Sequence, residues 1–109
     1  MKMFTNNDQT AKLIELGFEK PKSIEVYRDG HYVPFVEQQL VYSIGELIEM
    51  LPENSSKSIR YVATKRAWVV DVDVLGKSRC AKCYRGVYHA ELVDALYDMI
   101  VKLKEEEVI

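Results

Sequence analysis

Apolar and polar positions change period several times along the chain, and each change marks an element. Leu13, Ile14 and Phe18 recur near helical spacing behind Thr5-Asn6-Asn7-Asp8, whose side-chain oxygens suit orphan N–H groups, so a helix is expected from about Asn6 to Leu16. Gly17 suits a left-handed position just past that helix, Phe18 can fold back on Leu13 as in a Schellman motif, and Pro21 forbids resumption. Between Ser23 and Val36 the period drops to two. Ile24-Glu25-Val26-Tyr27, the favoured turn Asp29-Gly30 and Tyr32-Val33-Pro34-Phe35-Val36 read as a β-hairpin, with Pro34 placing the returning strand at a sheet edge or making it irregular past that point.

In Tyr42-Ser43-Ile44-Gly45-Glu46-Leu47, Ser43 and Glu46 make a capping box and Tyr42 and Leu47 a hydrophobic staple. A two-turn helix follows, ended about Leu51 by Pro52, and the polar stretch Glu53 to Ser58 reads as a surface loop. Two strands are expected from Ile59 to Val74 around a turn at Thr64-Lys65-Arg66. In the second, Trp68, Val70, Val72 and Val74 alternate with Val69, Asp71 and Asp73, and the two aspartates mark the wet face. Arg79 to Tyr84 suits a third strand after Gly76-Lys77-Ser78. Ala90 to Glu107 is a long amphipathic helix with the stripe Leu92, Val93, Leu96, Met99, Ile100 and Leu103.

The order α-ββ-α-ββ(β)-α with short hairpin connections predicts an α+β fold, a mostly antiparallel sheet with helices on one face. Its 109 residues, 48% hydrophobic and 29% charged, suit one globular domain, 1–109, with a core of its own. No apolar run is long enough to span a membrane, and the N-terminus turns polar at once, so the expectation is a cytoplasmic protein without membrane contact.

The segments Tyr42 to Pro52 and Glu91 to Ile100, with Gln9 to Phe18 in similar style, resemble small uncharacterised proteins carried by prophages and mobile elements of gut Bacteroidetes. The resemblance implies an accessory protein of a mobile element. It covers less than half of the chain and transfers no functional residue.

Three candidate chemistries remain. Cys80, Cys83 and His89 are candidate metal ligands of a C-x-x-C knuckle, but a fourth ligand is missing, and residues three apart on a strand point to opposite faces; no metal or other cofactor is expected. The charge distribution says more. Residues 57–85 hold eight basic residues against Asp71 and Asp73, while 1–56 hold five against nine acids and 86–109 two against six, which returns the whole chain to −2. Arg60, Lys65, Arg66, Arg79, Lys82 and Arg85, interleaved with Tyr61, Trp68 and Tyr84, suit phosphates and stacked bases. The acidic overall balance, with a pI near 5.7, weighs against nucleic acid. The third candidate is a protein interface: Tyr97 lies off the apolar stripe of the last helix, and an exposed Tyr97 with Val101 and Val108 would extend a patch for a partner or for self-association.

No nucleophile is placed by a motif beside His31 or His89, and no phosphate loop, dinucleotide fingerprint or zinc-protease helix occurs, so the sequence leans away from an enzyme. The leading expectation is a small interaction module that binds a protein partner or itself. The alternative is nucleic-acid or anion binding through the basic region 57–85.

Overall fold

The computed structural model describes residues 2–27, 37–53, 55–75 and 81–109. Helix α1 (Asn7–Glu15) is followed by strands β1 (Ser23–Tyr27) and β2 (Glu37–Val41), helix α2 (Ile44–Glu49), strands β3 (Ser55–Val62), β4 (Ala67–Leu75) and β5 (Ala81–Tyr84), and helix α3 (Leu92–Glu105). β1 and β2 form an antiparallel pair, and β3-β4-β5 form a separate antiparallel sheet of three strands. The α+β class read from the sequence is the one observed.

The expected caps are present. Ser43 and Glu46 form a reciprocal capping box at α2, and Asn6 and Gln9 form a second at α1, where the sequence suggests only capping side-chain oxygens. Past α1, Gly17 has φ +98°, its N–H donates to Ile14 O, and Phe18 N–H donates to Leu13 O, the paired bonds of a Schellman motif. One strand expectation is left open and another needs correction. The described return strand is β2, Glu37–Val41, which the alternation had not marked, while Asp29-Gly30 and Tyr32 to Val36 lie outside the described residues. Ser55 to Ser58, taken as loop, belong to β3, because β4 runs long enough to pair Ser55 with Val74, and an edge strand tolerates polar side chains.

Antiparallel register sorts the three-stranded sheet into two faces, since directly opposed residues share a side. The inner face carries Ile59, Tyr61, Trp68, Val70, Val72, Val74 and Tyr84; the outer face carries Ser58, Arg60, Val69, Asp71, Asp73 and Cys83. α3 packs on β4 and α2 packs on α3. The core cluster brings Val70, Val72 and Tyr84 against Leu92, Val93, Leu96, Met99, Ile100 and Leu103 of the α3 stripe, joined by Leu13, Tyr42 and Leu47. The stripe expected for the last helix is buried in full.

The N-terminal segment is stitched down at two places. Buried Thr5 exchanges hydrogen bonds with Tyr42, donating through N–H to Tyr42 O at 2.9 Å and accepting from Tyr42 N–H through Oγ1 at 3.0 Å. Lys2 closes onto α3, with its main-chain N 2.8 Å from Glu91 Oε2 and its Nζ 2.9 Å from Asp94 Oδ1, which also accepts from Gln9 Nε2 at 2.7 Å. Burial works to raise the Asp94 carboxyl, but the hydrogen bonds from Gln9 and Lys2, with the positive charges of Lys2 and His89, outweigh it and hold the group below its ordinary 3.8.

A carboxyl depressed in the folded state stabilises the fold above its unfolded pKa, and that contribution disappears as pH falls through the folded value. Asp94→Asn should therefore cost about 1 kcal/mol at neutral pH. The deficit relative to wild type should shrink once the pH drops below 3.8. Thermal melting of both proteins at pH 6 and pH 2.5 checks this; an equal deficit at the two pH values would refute the contact.

Candidate binding surface

Strands β3 and β4 meet in a tight turn over residues 63–66, closed by Lys65 N–H to Val62 O and Arg66 N–H to Ala63 O. Arg66 sits in the left-handed region at φ 48°, which turns the chain back within four residues and leaves Lys65 and Arg66 exposed at the tip. Directly behind the tip, Tyr61 opposes Trp68 across the strands with ring centroids 5.2 Å apart and planes at 56°. Trp68 packs partly into the core, as its alternation with the valines suggested, whereas Tyr61 remains 52% exposed. Lys65 Nζ lies 4.2 Å from the ring centroid of Tyr88, itself 43% exposed, with Val87 more open still.

Beyond β5 the chain rejoins β4. Val72 opposes Tyr84, and Trp68 exchanges both main-chain hydrogen bonds with His89, so four residues, Arg85 to Tyr88, run opposite the three from Val69 to Asp71. That surplus of one is a β-bulge. It presses Gly86 against the Val70 backbone so closely that an added Cβ would lie 2.2 Å from Val70 O. Gly86 N–H donates to Asp71 Oδ1 at 3.0 Å.

Asp71 corrects the expectation that the aspartates mark a wet face: it is 6% exposed. Its Oδ2 accepts from Arg60 Nη2 at 3.1 Å and lies 3.6 Å from Arg85 Nη1. Two hydrogen-bond donors, Gly86 N–H and Arg60, together with the nearby Arg85 charge, replace the water this carboxylate gives up. Asp73 is half-buried and its Oδ1 is shut off from solvent. Asp71 and Asp73 are the only carboxylates from Ser55 to Tyr88, and with Asp71 buried and Asp73 half-buried this part of the sheet exposes more cationic than acidic surface.

The basic candidates fall into separate groups. Arg60 and Arg85 share the outer face through Asp71, and Lys65 and Arg66 occupy the turn beyond them. Lys82 opposes Val74 on the inner face, seven residues along β4 from the turn, roughly 23 Å away. Arg79 lies outside the described residues. Tyr84, considered for base stacking, is 4% exposed and belongs to the core. Tyr88 stands in its place, and a sequence clue existed in its position within Arg85-Gly86-Val87-Tyr88, a basic and aromatic run with the glycine of a bulge.

The other candidates are dispersed. Tyr97, Val101 and Val108 are half-buried and packed against the core rather than exposed, which removes the patch expected on α3. Burial first, then the charges of Asp98, Asp8 and Glu105, raise the Tyr97 hydroxyl above its ordinary value. Cys83 is exposed on the outer face, and Cys80 is outside the described residues. A hydrogen bond with Asp73 first, then partial desolvation and the Asp73 charge, push the Cys83 thiol up against the opposing pull of Arg85, which keeps it protonated and a poor ligand or nucleophile at neutral pH. His89 is occupied elsewhere: its Nε2 shares a hydrogen bond with Asp98 Oδ2, latching the sheet to α3. Among the described residues no cluster of His, Cys, Asp and Glu is arranged to hold a metal ion, and no helix is long and apolar enough to cross a membrane.

A cleft of about 260 Å³ lies apart from this surface, between the end of α1 and α2, lined by Phe18, Tyr42 and Met50 with Lys20, Lys22, Glu19, Glu46 and Glu49. Glu46 is committed there to its capping box and to Lys22 N–H, so the cleft offers no charge of one sign. No family model, curated protein or solved structure matches the chain, and what its surface can bind follows from its own residues.

Proposed function

We propose that this protein is a small non-catalytic binding module for single-stranded nucleic acid, working as an accessory factor of a prophage or mobile element. The observation that carries this reading is the turn end of the three-stranded sheet: Lys65 lies over exposed Tyr88 beside Arg66, Arg60 and Arg85 share the outer face around buried Asp71, and exposed Tyr61 lies behind the turn on the inner face. Base stacking on tyrosine is tolerant of sequence, and lysine and arginine track the backbone phosphates. The overall charge of −2 is no obstacle, because screening over roughly 8–10 Å makes a local basic surface act locally.

Fluorescence anisotropy with a labelled fifteen-nucleotide oligo-dT, read from 50 to 200 mM salt, tests the reading. Binding should weaken with salt, and Lys65→Gln/Arg66→Gln should reduce the slope of log K against log salt by about 1.4. Tyr61→Ala or Tyr88→Ala should weaken binding by roughly 5- to 150-fold without changing that slope. Light scattering in the same solutions addresses the second reading, self-association, which the division into a basic sheet segment and acidic flanks favours. A mass that doubles with protein concentration and ignores the oligonucleotide would replace the nucleic-acid assignment with it.

A further inference from the structure

We infer that Arg60 and Arg85, held apart and aimed by Asp71, form a clamp for one backbone phosphate of the bound strand. The inference rests on the nucleic-acid reading and adds to it a defined subsite on the outer face. Both guanidinium groups approach the same oxygen, Asp71 Oδ2, at 3.1 and 3.6 Å, one from β3 and the other from the bulge after β5. Each touches it through one nitrogen, and the two side chains remain 57% and 67% exposed, so most of each five-donor fork is turned to solvent.

Two cations this close repel one another unless something lies between them, and the buried carboxylate does. Asp71 is itself fixed, because its other oxygen is taken by Gly86 N–H. The trio carries a net charge of +1. A phosphodiester, at −1, brings it to neutrality while offering two oxygens that parallel N–H pairs can grip, the geometry for which arginine is preferred over lysine. Asp71 is thus a positioning residue, and Arg60 and Arg85 are the binding residues.

This arrangement makes an unusual prediction about charge. If Asp71 only neutralised its neighbours, Asp71→Asn would add a positive charge to the surface and tighten binding. If it positions them, the same substitution should weaken oligo-dT binding about three- to tenfold, although Asn can still accept from Gly86 N–H. Arg60→Lys/Arg85→Lys keeps the charge and loses the forks, and should weaken binding about tenfold. Circular dichroism and the melting temperature establish that each variant is folded; the lysine pair tests the clamp even where Asp71→Asn does not fold.

Inorganic phosphate separates the backbone from a free anion as the source of the ligand. In NMR spectra of the arginine side chains, oligo-dT should shift the Arg60 and Arg85 Nε–H signals at micromolar concentration, and inorganic phosphate only at many millimolar. Tighter binding by Asp71→Asn, wild-type affinity of the lysine pair, or saturation by micromolar phosphate that oligo-dT cannot displace would each overturn the clamp. If Lys65→Gln/Arg66→Gln loses binding while the lysine pair keeps it, the clamp fails and the nucleic-acid reading stands. Wild-type protein that ignores oligo-dT defeats both.

Discussion

Replacing Leu96 with Ala should destabilise the protein by about 2–5 kcal/mol, a large share of the 5–15 kcal/mol typical of a domain this size. Leu96 lies at the middle of the α3 stripe with no exposed surface, inside the cluster that includes Val70 and Val72 from the sheet and Leu47 from α2. Removing its branched end takes away the apolar burial of those carbons and leaves a hole that neighbours on three elements would have to move to fill. Backbones already fixed by the β4 ladder on one side and the α2 capping box on the other cannot follow easily. Urea unfolding should show a lower midpoint at an unchanged m-value. A loss under about 1 kcal/mol would mean that α3 is not packed on β4 as described.

That helix was legible in the sequence because its signal is local and redundant: six apolar residues at one period, with nothing competing for them. The same holds for the Ser43–Glu46 box and the Gly17 stop, each of which is chemistry confined to one turn. The sheet was harder to read. Ser55 to Ser58 have poor strand character of their own and are extended because Val72 and Val74 stand opposite Lys57 and Ser55, a fact about pairing rather than composition. Asp71 misled for a related reason. Alternation assigns it to the outer face correctly, but whether that face is wet depends on Arg60, eleven residues earlier, and on the bulge after β5. The apolar residue Val69, buried two positions before it on the same face, was the available hint. Tyr97 failed in the opposite sense, since its place off the stripe suggested exposure, and it is instead half-buried against the core. The basic character of 57–85 was visible from counting. Its division between a turn, an outer-face pair and the distant Lys82 required the register.

Gly86→Ala should be the most damaging small substitution in the sheet, costing about 3 kcal/mol and loosening the segment that carries Arg85 and Tyr88. Gly17 and Gly86 are required for different reasons. At Gly17 there is open space around a would-be Cβ, and only the backbone angle, φ +98°, disfavours a side chain. At Gly86 the obstacle is room: the Cβ would meet Val70 O at 2.2 Å and Val70 C at 3.1 Å, and backbone atoms in the centre of a three-stranded sheet cannot rotate aside. The bulge must therefore lift from β4. Lifting breaks the Gly86 N–H bond to Asp71, leaving a buried carboxylate short of a donor, and strains the Trp68–His89 pair that resumes the ladder beyond it. Hydrogen exchange should show the effect as faster exchange at the His89 and Trp68 amides while the amides of α3 lose protection only in step with global stability. Since Arg85 is the residue before the glycine, the proposed clamp requires that oligonucleotide binding weaken even in the fraction that remains folded. Unchanged exchange at His89, with wild-type stability, would show that the close approach of Gly86 to Val70 does not exist in solution.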